Sequence, residues 1–329
     1  MHTVIKVTDS NFENYWSTLF ANDPLQHPLY AQQNFNRSNH HAETQFTDRS
    51  FLVVLEDEPV FGCSLTLHTD TDGRKHVGYF GSEAATHVNR TSIVKPSNSF
   101  RPDAIRLLQQ HMSQLIEELM PDSLVYLDPV SCGIMSPVSQ VLLERGAQPT
   151  IQPTQLIDIS QTKRMLLRNI SKTCRGFIHW GQDNLSSQII SGEDFDQSSS
   201  QSLQSLHIVE ANSHQDDRDL WLTYEELVRQ GSGFLVQSRL AGELVASGLF
   251  AFTKNTCHYL AGSTLGGCPD RPVMHSLIWE AMMHSKGIGC TQFNLCDSIS
   301  QQDQESKYVA HAKAFGGDSH TRLKIKLNQ

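Results

Sequence analysis

The sequence predicts an α/β (α+β) chain in which the same arrangement of elements occurs twice. Two stretches, FLVVLEDEPVFGCSL (51–65) and FLVQSRLAGELVASGL (234–249), each contain an apolar strand, a polar turn and a second strand. Apolar runs on either side of a short polar turn are typical of β-hairpins. Phe51 and Phe234 begin equivalent strands, about half a chain apart. The repeat indicates a tandem duplication.

The segments after the first hairpin predict a strand, a helix and another strand. The strand is HVGYFGS (76–82), and the last one is SLVYLDP (123–129). Between them we expect a helix from Pro102 to about Leu119, because proline suits a first helical turn. Its apolar residues follow a helical period: Ile105, Leu108, Met112, Leu115 and Leu119.

The second hairpin is followed by the same order of elements. NTCHYLAGS (255–263) predicts a strand, and TQFNLCD (291–297) predicts the strand that closes the unit. Between them we expect a helix from about Pro272 to Lys286, with Gly287 at its C-cap. Each half therefore combines strands with a helix that connects two of them.

The two halves predict two domains of similar size. NFENYWSTLF (11–20) indicates a helix ahead of the first unit, and RDLWLTYEELVRQ (218–230) indicates its counterpart ahead of the second. The proline-rich stretch GAQPTIQPTQ (146–155) is the expected boundary. We therefore expect domains at 1–150 and 151–329.

Composition indicates a soluble globular protein of the cytoplasm. Apolar residues make up 38% of the 329 residues and charged residues 19%. No secretory signal and no apolar run of membrane-spanning length is visible. The seven cysteines are scattered without a CxxC pair, which favours free thiols in a reducing compartment and no metal site.

The charge distribution combines an acidic chain with one basic stripe. The formal net charge is -9, which argues against DNA and against general nucleic-acid binding. Within RMLLRNISKTCRG (164–176), the cations Arg164, Arg168, Lys172 and Arg175 follow at steps that would place them on one helix face. This stripe predicts a site for phosphate groups, although a solvated helix face is the alternative.

Three stretches resemble the FemABX-like branch of the GNAT acyltransferase superfamily, which includes the peptidoglycan-bridge aminoacyltransferases. They are QLIDIS with the basic segment up to ISKTCRGFIHWG (155–181), GELVASGLFAF through HYLAGST to LIWEAMMHSKGIGCTQFNLCDS (242–298), and AKAFGGD (312–318). The resemblance covers nearly the whole chain. It implies two tandem GNAT-like domains, each with a mixed, twisted sheet flanked by helices.

The sequence departs from the family pattern at two places. The family's lysine usually stands three residues before the terminal aromatic, where this chain has Ala312, with Lys313 and His311 on either side. The strand that often ends in Gly-Arg here ends in Cys296-Asp297. The resemblance implies a cation near the tetrahedral intermediate, and Lys313 or His311 would supply it.

Further candidates lie at the ends of predicted strands and beside glycines. Asp297 is the preferred base, with Asn294 and Ser298 as ligand contacts, because strand carboxyl ends border the ligand crevice in open α/β sheets. Tyr259 is a candidate acid, although packing in the core is the alternative. The helix-opening loop predicts a pyrophosphate site at Gly266, Gly267 and Arg271. Phe315 and Gly316 complete the candidate binding residues.

The resemblance implies transfer of an acyl or aminoacyl group to the amine of a cell-envelope or polysaccharide precursor. No tightly bound cofactor is expected. Acyl-CoA is the preferred co-substrate, because tRNA would favour a more positive chain. Aminoacyl-tRNA is the alternative donor, and a non-catalytic ligand-binding protein with the same double fold is the alternative class. A homodimer stays an open alternative.

Overall fold

The computed structural model describes most of the chain. The described residues are 2–23, 25–31, 46–80, 82–89, 101–130, 135–196, 198–199, 201–202, 218–264, 272–295 and 311–328. Five candidate residues lie outside this described part: Gly266, Gly267, Arg271, Asp297 and Ser298. No helix among the described residues is long and apolar enough to cross a membrane.

The described chain contains groups of consecutive strands separated by helices. The strands are β1 (His2–Lys6), β2 (Phe46–Asp48), β3 (Phe51–Leu55), β4 (Glu58–Ser64), β5 (Thr66–Thr69), β6 (Lys75–Gly78), β7 (Ala84–Val88), β8 (Ser123–Leu127), β9 (Gln148–Asp158), β10 (Leu185–Ile190), β11 (Gly233–Leu240), β12 (Glu243–Phe252), β13 (Thr256–Thr264), β14 (Gln292–Asn294) and β15 (Asp318–Asn328). The α-helices are α1 (Phe12–Ala21), α2 (Pro102–Leu119), α3 (Pro137–Glu144), α4 (Lys163–Asn169), α5 (Lys172–Asn184), α6 (Arg218–Arg229) and α7 (Val273–Gly287).

The chain divides into two compact units. Unit 1 consists of Met1–Gln152, Asp217–Leu222 and His320–Gln329, and unit 2 consists of Pro153–Asp216 and Thr223–Ser319. The end of the chain belongs to unit 1 because β15 pairs antiparallel with β8. A single boundary near residue 150 therefore does not describe this division.

Unit 1 is a mixed sheet with helices packed against it. Its strand order is β1-β3-β4-β7-β8-β15, and β2, β5 and β6 form a branch that joins at β8. Most pairs are antiparallel, but β8 runs parallel to both β7 and β6. The core lies between the sheet and helices α2 and α3, and large buried residues such as Phe51, Phe61 and Tyr126 fill it.

Unit 2 repeats this plan. Its strand order is β9-β14-β13-β12-β11-β10, and here β13 and β14 form the parallel pair. Helices α5 and α7 contact each other, and α7 packs against strands β11 to β13. Trp279, Phe293 and Phe315 lie in the core of this unit. The predicted duplication of a mixed α/β unit is thus confirmed.

The two predicted hairpins have the same turn. Glu56 and Asp57 have φ values of 53° and 65°, and Ala241 and Gly242 have 51° and 90°. Two positive φ values define the type I′ turn, whose twist matches that of paired strands. The register shifts at the same place in both hairpins, leaving Val60 and Val245 as extra residues.

The predicted helix limits are accurate for one helix and shifted for the other. Helix α2 begins at Pro102 and ends at Leu119, as predicted. Helix α7 continues through Gly287, so this glycine is not its C-cap; Ile288 is, and the left-handed glycine is Gly289 with φ of 101°. Gly289, two residues after the predicted C-cap, therefore has the left-handed conformation that follows the helix end.

Two glycines on α5 provide a matched test of helix packing in unit 2. A Cβ on Gly181 would overlap the side chain of Ser276 in α7, whereas a Cβ on Gly176 would meet nothing. We expect Gly181→Ala to cost about 1–3 kcal/mol through overpacking. Gly176→Ala should instead stabilise the fold by about 0.5–1 kcal/mol. Urea denaturation measures both, and equal effects would contradict the packing described here.

Candidate active site

The parallel strands of unit 2 separate after a short paired segment. Thr256–His258 of β13 pair with Gln292–Asn294 of β14, and β14 ends there while β13 continues to Thr264. Within the next two residues of β13 the register with β12 shifts, so that Leu260 is an extra residue. The extra residue of a β-bulge leaves the ladder and bends its strand. The end of β14 therefore faces an irregular part of β13.

A buried polar pair lies where the two strands part. His258 and Asn294 are direct cross-strand partners and are only 2% and 3% exposed. The amide Nδ2 of Asn294 lies 3.4 Å from Nδ1 of His258. Asn294 was predicted as a site residue, whereas His258 was not. The side chains of His258 and Tyr259 point to opposite faces of the sheet.

The structure places Tyr259 in the hydrophobic core. Its ring centroid lies 5.4 Å from that of Phe250, and it belongs to the buried cluster beneath α7. A Cβ on Gly262 would overlap the Tyr259 hydroxyl, which shows how closely the strand passes this ring. Tyr259 therefore packs in the core, which was the alternative to its predicted role as an acid.

The basic stripe does not lie on one helix, contrary to the prediction. Helix α4 ends at Asn169, Ile170 is extended, and Ser171 starts α5 by accepting a hydrogen bond from the Cys174 N–H at 3.3 Å. A serine that caps a new helix interrupts the periodicity on which the prediction depended. Ser171 itself was the sequence signal for this break.

The four cations have different environments. Arg175 points back to α4, and its Nη1 donates to the carbonyl oxygens of Leu167 and Ile170 at 3.0 and 2.5 Å. It thus satisfies carbonyl groups at the C-terminal end of a helix, where a cation is favoured. Arg164, Arg168 and Lys172 are exposed and form no ion pair with the described residues. These three remain available to an anion.

The terminal aromatic-glycine segment packs tightly within unit 2. Gly316 and Gly317 have φ values of 82° and 81°. Their backbone lies so close to Asn169 and Leu156 that a Cβ on either glycine would crowd these residues. Both the backbone conformation and the close approach therefore explain why glycine occupies these two positions.

Lys313 lies close to the junction of α4 and α5. The carbonyl oxygen of Ala314 accepts a hydrogen bond from the Ser171 N–H at 2.9 Å. Lys313 and Lys172 are the exposed neighbours of these two residues in sequence. The hydrogen bond therefore brings the backbone next to Lys313 to this junction. We use the name basic surface for the exposed cations of these two segments, which are Arg164, Arg168, Lys172 and Lys313.

Two histidines form a second cluster, which the sequence did not predict as a pair. The rings of His275 in α7 and His311 lie 4.3 Å apart, with Phe315 5.4 Å from His311 and Phe177 4.8 Å from His275. Burial lowers the pKa of His311 to about 4. Burial, reinforced by the neighbouring His311, lowers the pKa of His275 to about 4. His311 is therefore neutral at pH 7 and cannot supply the predicted cation.

Comparison with known proteins yields fold similarities. No protein-family model and no curated protein sequence matches the chain. FemX matches with a TM-score of 0.68 at 11% identity, covering 98% of this chain and 96% of that one. A tandem GNAT protein from the clavulanic acid biosynthesis pathway matches with 0.58 at 11% identity, covering 100% and 98%. The C-terminal domain of a candidate lysylphosphatidylglycerol synthetase from Agrobacterium fabrum matches with 0.55 at 13% identity, covering 96% and 92%.

These similarities define the fold class. The chain has a tandem GNAT fold, and its match to FemX extends over both units. The sequence resemblance to the FemABX-like branch is thereby confirmed at the level of the fold. Sequence identity near one residue in ten leaves the activity to be argued from the chain's own residues.

The histidine cluster predicts a specific acid sensitivity. Between pH 6.5 and about 4 the unfolded chain binds protons at His275 and His311 that the folded chain does not bind. Stability should therefore decrease as the pH falls through this window. We expect His311→Phe to reduce the decrease in Tm between pH 7.5 and pH 5, whereas His179→Phe on the exposed face of α5 should not. Equal decreases in both variants and the natural protein would contradict the assignment.

Proposed function

We propose that the chain is an N-acyltransferase that moves an acyl group from acyl-CoA to the amine of a cell-envelope or polysaccharide precursor. The observation that carries the proposal is the bulge at Leu260 beside the end of β14. An amide released from a strand ladder can donate to a thioester carbonyl and to the oxyanion that develops from it. The clavulanic acid pathway protein shares the fold, and the structure compared is that of the protein without AcCoA.

The reaction needs few side chains. The amine nitrogen attacks the thioester carbonyl carbon, and the new C–N bond forms while the carbonyl becomes an oxyanion. Collapse of this intermediate breaks the C–S bond, and the CoA thiolate leaves. The nitrogen loses a proton to a base, and the thiolate gains one. A backbone donor for the oxyanion and one base are therefore sufficient.

His258 is our candidate for this base. It lies at the end of the paired segment, two residues before Leu260, and Asn294 contacts its Nδ1. As placed, the Asn294 Nδ2 donates to Nδ1. The role of base requires the reverse amide orientation, with the Asn294 oxygen accepting from Nδ1–H, because only then does Nε2 have a lone pair to accept a proton. Asp297, which follows β14 in sequence, remains a second candidate for the base.

The basic surface would bind the phosphates of the donor. The chain has a net charge of -9, but this surface carries four exposed positive charges, from Arg164, Arg168, Lys172 and Lys313. A phosphate group forms charge-assisted hydrogen bonds with the cations next to it. Four local cations can therefore bind phosphates although the net charge of the chain is negative. Arg175 would act indirectly by holding the end of α4.

Binding of CoA tests the donor and its site. We expect calorimetry to detect CoA and acetyl-CoA binding that the double variant Arg168→Glu/Lys172→Glu abolishes, because two attractive charges become repulsive. The double variant Glu193→Lys/Asp194→Lys, which changes charge elsewhere in unit 2, is the control and should retain binding. Binding that survives the first variant would place the phosphates elsewhere, for example at 265–271.

Absence of CoA binding by the natural protein would reject the acyl-CoA donor. In that case a salt-dependent association with aminoacyl-tRNA would support the alternative transferase. Ligand binding without turnover across donors and amines would instead support the non-catalytic alternative.

The two neighbours on β13 provide a matched test of the base. We expect His258→Gln to lower kcat by about 10²–10⁴-fold and to remove the acidic limb of the pH–rate profile, with little change in the KM for acetyl-CoA. Tyr259→Phe should retain most activity, because the ring remains in the core. A larger loss in Tyr259→Phe than in His258→Gln would reverse these roles.

A further inference from the structure

A row of polar side chains crosses the sheet of unit 2 on the face opposite α7. Gln188 of β10, Gln237 of β11, Ser247 of β12 and Ser263 of β13 are successive cross-strand partners. Direct partners in antiparallel strands share a face of the sheet. Gly248, next to Ser247, approaches Leu277 of α7, so the row occupies the other face. We call these four residues the polar row.

The two inner side chains of the polar row are buried with unused hydrogen-bonding groups. Gln237 is 4% exposed and Ser247 is fully buried. Neither Gln237 Nε2 nor Ser247 Oγ has a hydrogen-bond partner among the described residues. Buried polar groups normally have partners, since leaving one unpaired destabilises the folded state. Gln188, on the edge strand, is the exposed member of the row.

Unit 1 shows that the fold itself does not require polar residues here. Counted from the shared type I′ turns, Leu52 and Gly62 occupy the positions of Gln237 and Ser247. Gly62 lies directly beneath α1, where a Cβ would meet Leu19 and Trp16. The duplicated sheet thus uses apolar packing in one unit and unpaired polar groups in the other.

We propose that the polar row binds the hydroxyl groups of the amine acceptor, which makes a polyhydroxylated amine of the amino-sugar class the substrate. This inference rests on the transferase function proposed above. The row contains no charged side chain, and amide and hydroxyl groups both donate and accept, as hydroxyl groups require. Ser263 is three residues from the bulge at Leu260, which corresponds to about 10 Å along a strand. One or two sugar rings span this distance.

Isosteric variants test the polar row. We expect Gln237→Leu and Ser247→Ala each to raise the KM for D-glucosamine about tenfold, the effect of losing one hydrogen bond. The KM for acetyl-CoA and for cyclohexylamine, which has no hydroxyl groups, should not change. The Tm of both variants should rise, because an unpaired buried polar group is removed. Ser238→Ala, on the opposite face beside a hydrogen-bonded Ser187, is the control.

The outcomes separate this inference from the proposed transferase function. An unchanged KM for D-glucosamine together with a lower Tm in Gln237→Leu would overturn the inference and make the row a structural network. Calorimetric binding of D-glucosamine that Gln237→Leu abolishes supports the row even if no acyl transfer occurs. Transfer to cyclohexylamine without any preference for D-glucosamine would keep the transferase function and reject the row as its acceptor site.

Discussion

The candidate site depends on the close approach of a glycine backbone to strand β9. Gly317 lies against Leu156 with a positive φ, and any side chain there would overlap a backbone carbonyl. Gln155 reinforces the contact by donating from Nε2 to the carbonyl of Gly316 at 2.6 Å. Because this segment is fixed, Phe315 is held in the core and the preceding residues lie against α4 and α7. A glycine pair thus positions an aromatic ring, a histidine cluster and a lysine together.

The basic segment shows how capping interactions override charge periodicity. Cations at steps of four and three would share a face only if one helix continued through them. Ser171 starts a second helix instead, and Arg175 stabilises the end of the first one through three carbonyl groups. The chain consequently uses one cation for its own fold. The hydrogen bond between Ser171 and Ala314 brings the backbone next to Lys313, a further exposed cation, to the junction of the two helices.

The sequence predicted features that depend on local rules, and missed those that depend on distant contacts. The two hairpins and the helix at 102–119 follow from turn residues and apolar periodicity, which are local signals. Asn294 was expected at the end of its strand for the same reason. The pairing of His275 with His311 was not predictable, because the two residues are far apart in sequence and meet only through packing. Asp297 and the loop 265–271 remain predictions.

The duplication allows one unit to serve as the reference for the other. In unit 1 the strand end after β8 is filled by Asp128, whose buried carboxylate accepts hydrogen bonds from Tyr126 and Ser139 at 3.2 and 2.6 Å. These bonds satisfy the carboxylate within the fold, although burial still raises its pKa. At the corresponding parallel pair of unit 2 lie the His258–Asn294 pair and a bulge, with unpaired polar groups on the same sheet face. Polar groups that weaken a fold persist where function requires them. The contrast therefore supports assigning the proposed chemistry to unit 2.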